Sequence, residues 1–176
     1  MVPIKSRFPA RIATARLVLE APRADHASAI AQLANNPRIH SVMARLPFPY
    51  TLEDAHFFLE QVVPSETELC YAILLGGETF MGVVGLTWDD KDAPSLGYWL
   101  GEPHWGHGYA TEAALAVVQA AREIGLAALK SRALQTNTAS QKVLLKSGFT
   151  PMGEATDDKG NLAGRQVVLM RQEFEP

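Results

Sequence analysis

A glycine-containing turn between a predicted strand and a predicted helix is the feature that most constrains how this chain can fold. The segment from Trp105 to Glu112 contains Gly106 and Gly108. Before it, Leu96 to Leu100 is an apolar and aromatic run typical of a strand. After it, apolar residues recur at helical spacing, namely Ala114, Val117, Val118 and Ala121. The sequence therefore predicts a strand, a tight turn and a helix in immediate succession.

The N-terminus of a helix that follows such a turn favours an anion. Its first backbone N–H groups have no partner within the helix, and the helix dipole adds positive potential. Glycine also leaves room for a ligand, such as a phosphate, beside the backbone. A tight turn whose glycines serve only local geometry explains the same residues. The glycines alone do not decide between these two interpretations.

The composition is that of a globular protein and argues against several classes of function. The chain has 176 residues, of which 47% are hydrophobic, and we expect one domain covering residues 1–176. A net charge of −3 argues against binding to nucleic acid or to an anionic membrane, which normally requires a basic face. Cys70 is the only cysteine, so an internal disulfide or a multi-cysteine zinc site cannot form. Because no apolar run reaches membrane-spanning length, we expect a cytoplasmic protein.

Apolar periodicity and turn residues predict the element order β-α-α-β-β-β-α-β-α-β-β. Strands are predicted at 14–20, 70–75, 80–86, 96–100, 131–135, 149–155 and 166–174. Helices are predicted from a cap at Asp25, from a capping box at Thr51, after the glycine turn, and from Thr138 to a terminating Gly148. This order favours an α+β or mixed α/β sheet, with crossover helices wherever neighbouring strands run parallel.

Three kinds of phosphate-binding turn differ in the residues that they require. A P-loop needs Gly-Lys-Ser/Thr, but Gly108 is followed by Tyr109 and Ala110, which excludes it. A dinucleotide-binding turn needs an acidic residue at the end of the next strand, where this chain has Leu134 and Gln135. The remaining pattern is a Gln/Arg-x-x-Gly-x-Gly/Ala turn, whose last two positions match Gly108 and Ala110.

Short motifs spread over nearly the whole chain resemble one family. They are Thr14-Ala15-Arg16-Leu17-Val18-Leu19, Pro47-Phe48-Pro49-Tyr50-Thr51, Gly97-Tyr98-Trp99-Leu100-Gly101, Trp105-Gly106-His107-Gly108-Tyr109-Ala110-Thr111-Glu112-Ala113, Asn137-Thr138-Ala139-Ser140 and Lys146-Ser147-Gly148-Phe149. In this order they resemble the GNAT superfamily of acyl-CoA-dependent N-acyltransferases, within the RimJ/RimL-like branch that acetylates ribosomal-protein N-termini and related substrates. The resemblance implies a GNAT-type α+β fold, with a central mixed, mostly antiparallel sheet of six to seven strands flanked by about four helices. It also implies acetyl-CoA as co-substrate and no metal.

The resemblance further implies a two-part site for acetyl-CoA. The backbone from Trp105 to Thr111 would hold the pyrophosphate, Leu100 and its neighbours would pair with the pantetheine arm like an added strand, and Asn137 would hydrogen-bond that arm. The expected cofactor-binding residues are Leu100, Trp105, Gly106, His107, Gly108, Tyr109, Ala110, Thr111, Asn137, Ser140 and Lys146. Lys142 and Lys146 either meet the cofactor phosphates or lie on a solvated helix face.

Two departures from the family pattern bear on the chemistry. Trp105 stands where the turn usually begins with Gln or Arg, which shifts that contact to the backbone and to packing by Trp105. Leu144 stands where many members have the tyrosine that protonates the departing thiolate. Ser140 or water is the substitute proton donor, although a serine in the first turn of a helix also commonly bonds backbone groups. Main-chain N–H groups around Leu100 would stabilise the oxyanion.

No strong base is evident in the sequence. Related enzymes often carry a glutamate just before the Gly-Tyr-Trp strand, where this chain has Ser95. The nearby candidates are Glu102, His104 and His107, of which Glu102 is the predicted catalytic residue. The two histidines lack a third ligand at a metal-like spacing, so no metal site is predicted. The acidic turn at 89–92 fits a solvated turn better than a site for a cationic substrate.

The missing base bears on the identity of the acceptor amine. An α-amine has a pKa near ~8, so its deprotonation at pH 7 costs about 1.4 kcal/mol, whereas a lysine near ~10.4 costs roughly 4.6 kcal/mol. Because ordered water can meet the smaller demand, we predict an α-amine acceptor such as a protein or peptide N-terminus. A small-molecule amine and an inactive acyl-CoA-binding sensor or scaffold stay as alternatives. Exposed strand ends in such a fold are compatible with a homodimer.

Overall fold

The computed structural model describes residues 3–89 and 92–175, which contain one eight-stranded sheet. Its strands are β1 (Arg11–Ala13), β2 (Leu17–Glu20), β3 (Glu68–Leu75), β4 (Thr79–Thr87), β5 (Ser95–Leu100), β6 (Ala128–Leu134), β7 (Thr150–Thr156) and β8 (Gln166–Glu173). Their order in the sheet is β1-β2-β3-β4-β5-β6-β8-β7, and all neighbours are antiparallel except β5 and β6. The predicted mixed, mostly antiparallel sheet is confirmed, with eight strands instead of six to seven.

Five α-helices lie within the described residues, one more than predicted. They are α1 (Ala27–Ala34), α2 (Pro37–His40), α3 (Leu52–Phe57), α4 (Tyr109–Glu123) and α5 (Thr138–Lys146), and a π-helical turn, Phe58–Val62, continues α3. The capping box at Thr51 is confirmed, because its hydroxyl accepts from the Asp54 N–H at 3.2 Å and the Asp54 carboxylate accepts from the Thr51 N–H at 2.8 Å. Gly148, with φ +95°, follows the end of α5 as predicted.

The N-terminal third of the chain differs locally from the prediction. The predicted strand 14–20 is shorter in the structure, as β2, because the Thr14 N–H donates to the Leu17 carbonyl at 2.9 Å and closes a turn that joins β2 to an additional strand, β1. The periodicity did not indicate β1, whose alternation rests on one half-buried apolar residue, Ile12. The predicted cap at Asp25 is wrong: His26 precedes α1, and the Asp25 carboxylate accepts from Arg23 Nε at 3.1 Å instead.

The extra helix, α2, begins shortly after α1 ends. Pro37 occupies the first helical position, where its missing N–H costs no hydrogen bond. The Asn36 side chain caps this helix by accepting from the Arg38 N–H at 2.8 Å. The segment Asn35-Asn36-Pro37 therefore ends α1 and begins α2.

Alternation along the strands separates the apolar side chains into two layers, one on each face of the sheet. Tyr71 and Ile73 of β3 belong to the cluster that contains Val117 of α4, together with residues of α5. Ala72 and Leu74 belong to the cluster that contains Ile30 of α1, together with residues of α3. The sheet is thus covered by α4 and α5 on one face and by α1 and α3 on the other.

The two parallel strands, β5 and β6, separate soon after they meet. Ser95 and Lys130 are their only pair in register within the described residues. Two further bonds lie at the same end, from the Lys130 N–H to the Pro94 carbonyl at 2.9 Å and from Ser131 Oγ to the Leu96 carbonyl at 2.8 Å. Towards Leu100 the strands diverge and leave a gap in the middle of the sheet, which divides it into β1–β5 and β6–β8.

A contact between two loops joins the halves of the sheet, and we call it the loop clasp: residues 157–165 of the β7–β8 turn on residues 41–46. The Asn161 side chain donates to the carbonyls of Met43 at 3.0 Å and Leu46 at 2.7 Å. In the same turn, Leu162 packs on Leu134 at the end of β6. The clasp therefore lies over the end of β6, beside the gap.

Gly160→Ala is expected to loosen the loop clasp. A Cβ at this position would lie 1.9 Å from the Ala44 carbonyl oxygen, so the backbone must move, and we expect a loss of about 1–3 kcal/mol in the free energy of unfolding. Gly164→Ala is the matched control, because Gly164 also has positive φ, +83°, and a Cβ there meets nothing within 4 Å. Urea unfolding measures both. Equal losses in the two variants would contradict a tight clasp.

Candidate active site

The backbone of β5 presents to the gap groups that no neighbouring strand pairs. In an antiparallel ladder, the backbone groups of successive residues point alternately to the two neighbouring strands. The Gly101 N–H donates to the Met81 carbonyl at 2.8 Å on the β4 side, whereas the Leu96 carbonyl accepts from β6. By this alternation, the N–H and C=O groups of Tyr98 and Leu100 point into the gap. Such an edge can pair with the amide groups of an extended ligand.

Trp105 lies at the end of this open edge. Its indole Nε1 donates to the Leu100 carbonyl at 2.6 Å, and 38% of its surface is exposed. The N–H of the same residue, Leu100, points into the gap by the same alternation. The indole thus fixes the peptide group at the end of β5 and leaves the Leu100 N–H available as a donor.

The glycine turn adopts a backbone conformation that favours glycine and leaves helix α4 open at its N-terminus. Gly106 and Gly108 both have φ +79°, in the left-handed region. The Glu112 N–H donates to the Gly108 carbonyl at 3.1 Å, so the N–H groups of Tyr109, Ala110 and Thr111 precede the first helical bond. A Cβ on Gly106 would meet no atom within 4 Å. The space beside the turn is therefore open to a ligand, and the arrangement suits an anion.

Thr14 and Arg16, from the turn between β1 and β2, hold the glycine turn through Glu112. The Glu112 carboxylate accepts from Thr14 Oγ1 at 2.7 Å, from the Arg16 N–H at 2.8 Å and from Arg16 Nε at 2.7 Å. Arg16 Nη1 also donates to the His107 carbonyl at 2.8 Å. Burial opposes ionisation of Glu112, yet the bonds from Thr14 and Arg16 hold its pKa below the usual value. Sequence reasoning assigned no role to Arg16 or Thr14.

The start of α5 lies on the opposite side of the gap. Asn137 caps this helix through Oδ1, which accepts from the Ser140 N–H at 3.2 Å, so its amide nitrogen is available as a donor to a ligand. Ser140 is half-buried and hydrogen-bonds the phenol of Tyr98 on β5. Burial raises the pKa of Tyr98, and this hydrogen bond acts in the opposite direction. Tyr98 and Ser140 therefore place two hydroxyl groups together beside the open edge.

Tyr98 lies in the Gly-Tyr-Trp segment, but the sequence pattern predicts no role for its side chain. The alternation that directs its backbone groups into the gap also places its side chain on the α4–α5 face of the sheet, with Leu96 and Leu100. That alternation was readable from the strand. Its meeting with Ser140 was not, because the two residues lie on elements separated by α4 and β6.

Glu102, the predicted base, lies just beyond β5 and binds the region of α2. Its carboxylate accepts from Asn36 Nδ2 at 2.6 Å and from Arg38 Nη1 at 2.6 Å. The hydrogen bonds from Asn36 and Arg38 lower the pKa of Glu102. Burial and the neighbouring His107 lower the pKa of His104, which keeps its imidazole neutral at pH 7. His107 itself stacks on Tyr109, with ring centroids 5.5 Å apart.

The remaining predicted residues have simple environments. Lys142 and Lys146 are exposed on α5, and Leu144 is 1% exposed in the core, so the position that many family members give to a tyrosine is filled by packing here. In the acidic turn, Asp89 and Asp92 pair with Lys130, and Arg171 also pairs with Asp92. Asp90 and Lys91 lie outside the described residues. The turn is thus held by ion pairs within the protein.

Across 3–89 and 92–175, no group of three or more His, Cys, Asp or Glu side chains is arranged to hold a metal ion. Within the same ranges, no helix has both the length and the apolar surface needed to cross a membrane.

Solved structures of acetyltransferases share this fold. The microcin C7 self-immunity acetyltransferase MccE, in complex with acetyl-CoA and AMP, superposes with a TM-score of 0.83 at 23% identity, over 96% of this chain and 99% of that one. RimL, a ribosomal L7/L12 α-N-protein acetyltransferase solved with CoA, gives 0.81 at 19% identity, over 95% and 97%. Spermidine N-acetyltransferase from Vibrio cholerae, solved with CoA and spermine, gives 0.76 at 16% identity, over 91% and 96%.

Comparison at the level of sequence identifies the family. No curated protein sequence matches this chain. A family model described as an acetyltransferase (GNAT) domain matches residues 16–150, which span the turn after β1, the open edge of β5, the glycine turn and the start of α5. The chain therefore belongs to the GNAT acetyltransferases and is an acetyl-CoA-dependent N-acetyltransferase.

Proposed function

We propose that this enzyme transfers the acetyl group of acetyl-CoA directly to an α-amine, such as a protein or peptide N-terminus, in a ternary complex. The observation that carries this proposal is the alignment of three parts along one gap: the open edge of β5, the N-terminus of α4 and the start of α5. Together they offer backbone donors for the carbonyl groups of an extended thioester and for a pyrophosphate at its end.

In this arrangement the predicted binding residues contact different parts of acetyl-CoA. The backbone from Trp105 to Thr111 holds the pyrophosphate, and Leu100 with Tyr98 pairs with the pantetheine amides. The Asn137 amide nitrogen donates to the same arm, since its oxygen is used by the Ser140 N–H. Lys146 is exposed on α5 and adds positive charge near the phosphates. The four contributions come from a strand edge, a turn, the start of α5 and a lysine at the end of α5, which suits a long, flexible substrate.

Acetyl transfer requires a neutral amine, a stabiliser of the oxyanion and a proton for the departing thiolate. The neutral amine attacks the carbonyl carbon, and main-chain N–H groups around Leu100 stabilise the oxyanion that forms. The C–S bond then breaks, and the CoA thiolate takes a proton from Ser140, which recovers one from solvent while the amine loses its extra proton to water. Glu102 lies close to this end of β5, but its ion pair with Arg38 leaves it little net charge to offer an approaching amine.

The acceptor assignment rests on the weakness of the available bases. The carboxylate of Glu102 is a poor proton acceptor, because Asn36 and Arg38 hold its pKa low. An α-amine near pKa ~8 needs only about 1.4 kcal/mol to become neutral at pH 7, whereas a lysine needs roughly 4.6 kcal/mol. Water in the cleft meets the first demand. The likeness to RimL, an α-N-protein acetyltransferase, supports the same class of acceptor.

A pair of peptides of identical sequence tests the acceptor. One has a free N-terminus and an acetylated lysine, and the other has a blocked N-terminus and a free lysine. We expect kcat/KM for the first to exceed that for the second by at least about 100-fold at pH 7, as the difference in deprotonation cost requires. Faster acetylation of the blocked peptide would refute the α-amine assignment.

Small amines serve as the comparison set. Spermine is the amine bound in the spermidine N-acetyltransferase structure, and an aminoacyl nucleotide adds a free α-amine to the AMP bound in the MccE structure. Release of CoA with spermine alone would replace the α-amine by a polyamine. Binding of acetyl-CoA with no release of CoA for any amine would identify an acyl-CoA sensor instead.

A further inference from the structure

We propose that Arg16 is a positioning residue for the acetyl-CoA pyrophosphate, acting through the glycine turn and through neutralisation of Glu112. The inference rests on the binding of the pyrophosphate at this turn, as proposed above. Arg16 lies in the turn between β1 and β2, whereas the glycine turn follows β5. Only the folded sheet brings the two together.

Arg16 contacts both sides of the glycine turn. Its Nη1 donates to the His107 carbonyl at 2.8 Å, and its Nε donates to the Glu112 carboxylate at 2.7 Å. Its guanidinium also lies over the Tyr109 ring, 4.5 Å from the centroid. One planar group therefore links the carbonyl before Gly108 with the first turn of α4. The fork geometry of arginine allows these contacts together, which a lysine cannot reproduce.

The contact between Arg16 and Glu112 also neutralises the charge of Glu112. A carboxylate in the first turn stabilises a helix, but the same carboxylate repels an anionic ligand at that N-terminus. Its side chain is only 18% exposed, so solvent screens this repulsion incompletely. Arg16 offsets the charge at a distance of 2.7 Å. The pair is then neutral overall, and the N–H groups of α4 meet the pyrophosphate without an opposing charge.

The remaining nitrogen of Arg16 lies beside Gly108, in the turn proposed to bind the pyrophosphate. Its Nη2 is 3.5 Å from the position that a Cβ on Gly108 would occupy. The side chain is 44% exposed, so this edge of the guanidinium is accessible. Arg16 thus fixes the conformation of the glycine turn and neutralises the charge of Glu112.

Two acetyl donors separate a pyrophosphate role from a merely structural one. S-acetylpantetheine has the thioester and the amide arm but lacks the pyrophosphate. For Arg16→Gln we expect KM for acetyl-CoA to rise at least about 10-fold, with kcat at saturation within about 3-fold of wild type. With S-acetylpantetheine, kcat/KM should stay within about 2-fold. An equal loss with both donors, or an unchanged KM for acetyl-CoA, would overturn the proposal.

Binding of CoA, measured by calorimetry, tests the charge argument without an acceptor. Glu112→Gln should bind CoA at least as tightly as wild type, and the double variant R16Q/E112Q should bind it more tightly than R16Q. Weaker binding by E112Q, or no recovery in the double variant, would contradict neutralisation of Glu112. Arg23→Gln is the matched control, because Arg23 forms exposed ion pairs with Glu20 and Asp25 just after β2. It should leave CoA binding unchanged.

These measurements distinguish a failure of the Arg16 proposal from a failure of the proposed function. If wild type binds CoA but rejects α-amine peptides, the acceptor assignment falls while the role of Arg16 stands. If R16Q binds CoA as wild type does, the role of Arg16 falls while the acceptor assignment stands.

Discussion

Gly108→Val is expected to abolish binding of acetyl-CoA, with a rise in Kd of at least about 100-fold, while the sheet and its helices stay folded. Gly108 has φ +79°, and a β-branched residue pays about 1–3 kcal/mol to hold such a conformation, so the turn relaxes to another one. The new conformation misdirects the N–H groups of Tyr109 and Ala110. A valine side chain also fills space beside a turn where the native glycine leaves only Arg16 Nη2, at 3.5 Å, near the Cβ position.

The opposite end of the same helix provides the control for this substitution. Gly125 follows α4 with φ +80°, and a Cβ there would meet only Arg7 Nη2, at 4.0 Å. Gly125→Val therefore introduces the same backbone strain into the same helix, away from the proposed pyrophosphate. Calorimetric titration with acetyl-CoA and thermal unfolding should show similar destabilisation of both variants and loss of binding only in Gly108→Val. Retention of wild-type affinity by Gly108→Val would make the segment an ordinary turn.

Ser140→Ala is expected to lower kcat by about 100-fold, as the removal of a general acid does, with KM for acetyl-CoA within about 3-fold of wild type. The departing thiolate then depends on water for its proton. The helix start should persist, because the cap at Asn137 uses the Ser140 backbone N–H and not its hydroxyl. Steady-state kinetics with saturating acetyl-CoA measures the effect, and a kcat within about 3-fold of wild type would assign protonation to water.

A second serine at the far end of α5 controls for the loss of a hydroxyl. Ser147 is 2% exposed and donates to the Val143 carbonyl at 2.8 Å. Ser147→Ala should cost stability, about 1 kcal/mol for a buried hydrogen bond, and leave kcat unchanged. Tyr98→Phe identifies the source of the proton. A loss of kcat equal to that of Ser140→Ala would place both hydroxyl groups in one proton path, whereas no loss would leave Ser140 as the donor alone.

The sequence predicts those strands and helices well whose own residues show apolar periodicity or a cap. Apolar periodicity placed seven of the eight strands within a few residues, and the turn residues Thr51 and Gly148 marked helix ends that the structure confirms. The pattern failed at β1, which has one half-buried apolar residue, and at α2, whose four residues are too few to show periodicity. Short elements are fixed by neighbours in space, and their own residues carry little signal.

The site was predictable in its backbone parts and unpredictable in its side-chain contacts. The resemblance placed the glycine turn and the segment 137–140, because each is a continuous motif. The approach of Arg16 to Glu112 and the meeting of Tyr98 with Ser140 depend on how distant elements pack, and no spacing along one chain encodes them. The divergence of β5 from β6 is likewise a property of the whole sheet.

The loop clasp lies apart from the proposed acetyl-CoA contacts. The proposed acetyl-CoA contacts lie on β5, on α4 and on α5, whereas residues 41–46 and 157–165 are surface loops between strands of opposite halves of the sheet. Exchange of those two loops would reshape the wall beside the gap without altering the contacts to the thioester. The two loops can therefore vary in sequence without disturbing the proposed acetyl-CoA contacts, provided that they change as a pair and keep their contact with each other.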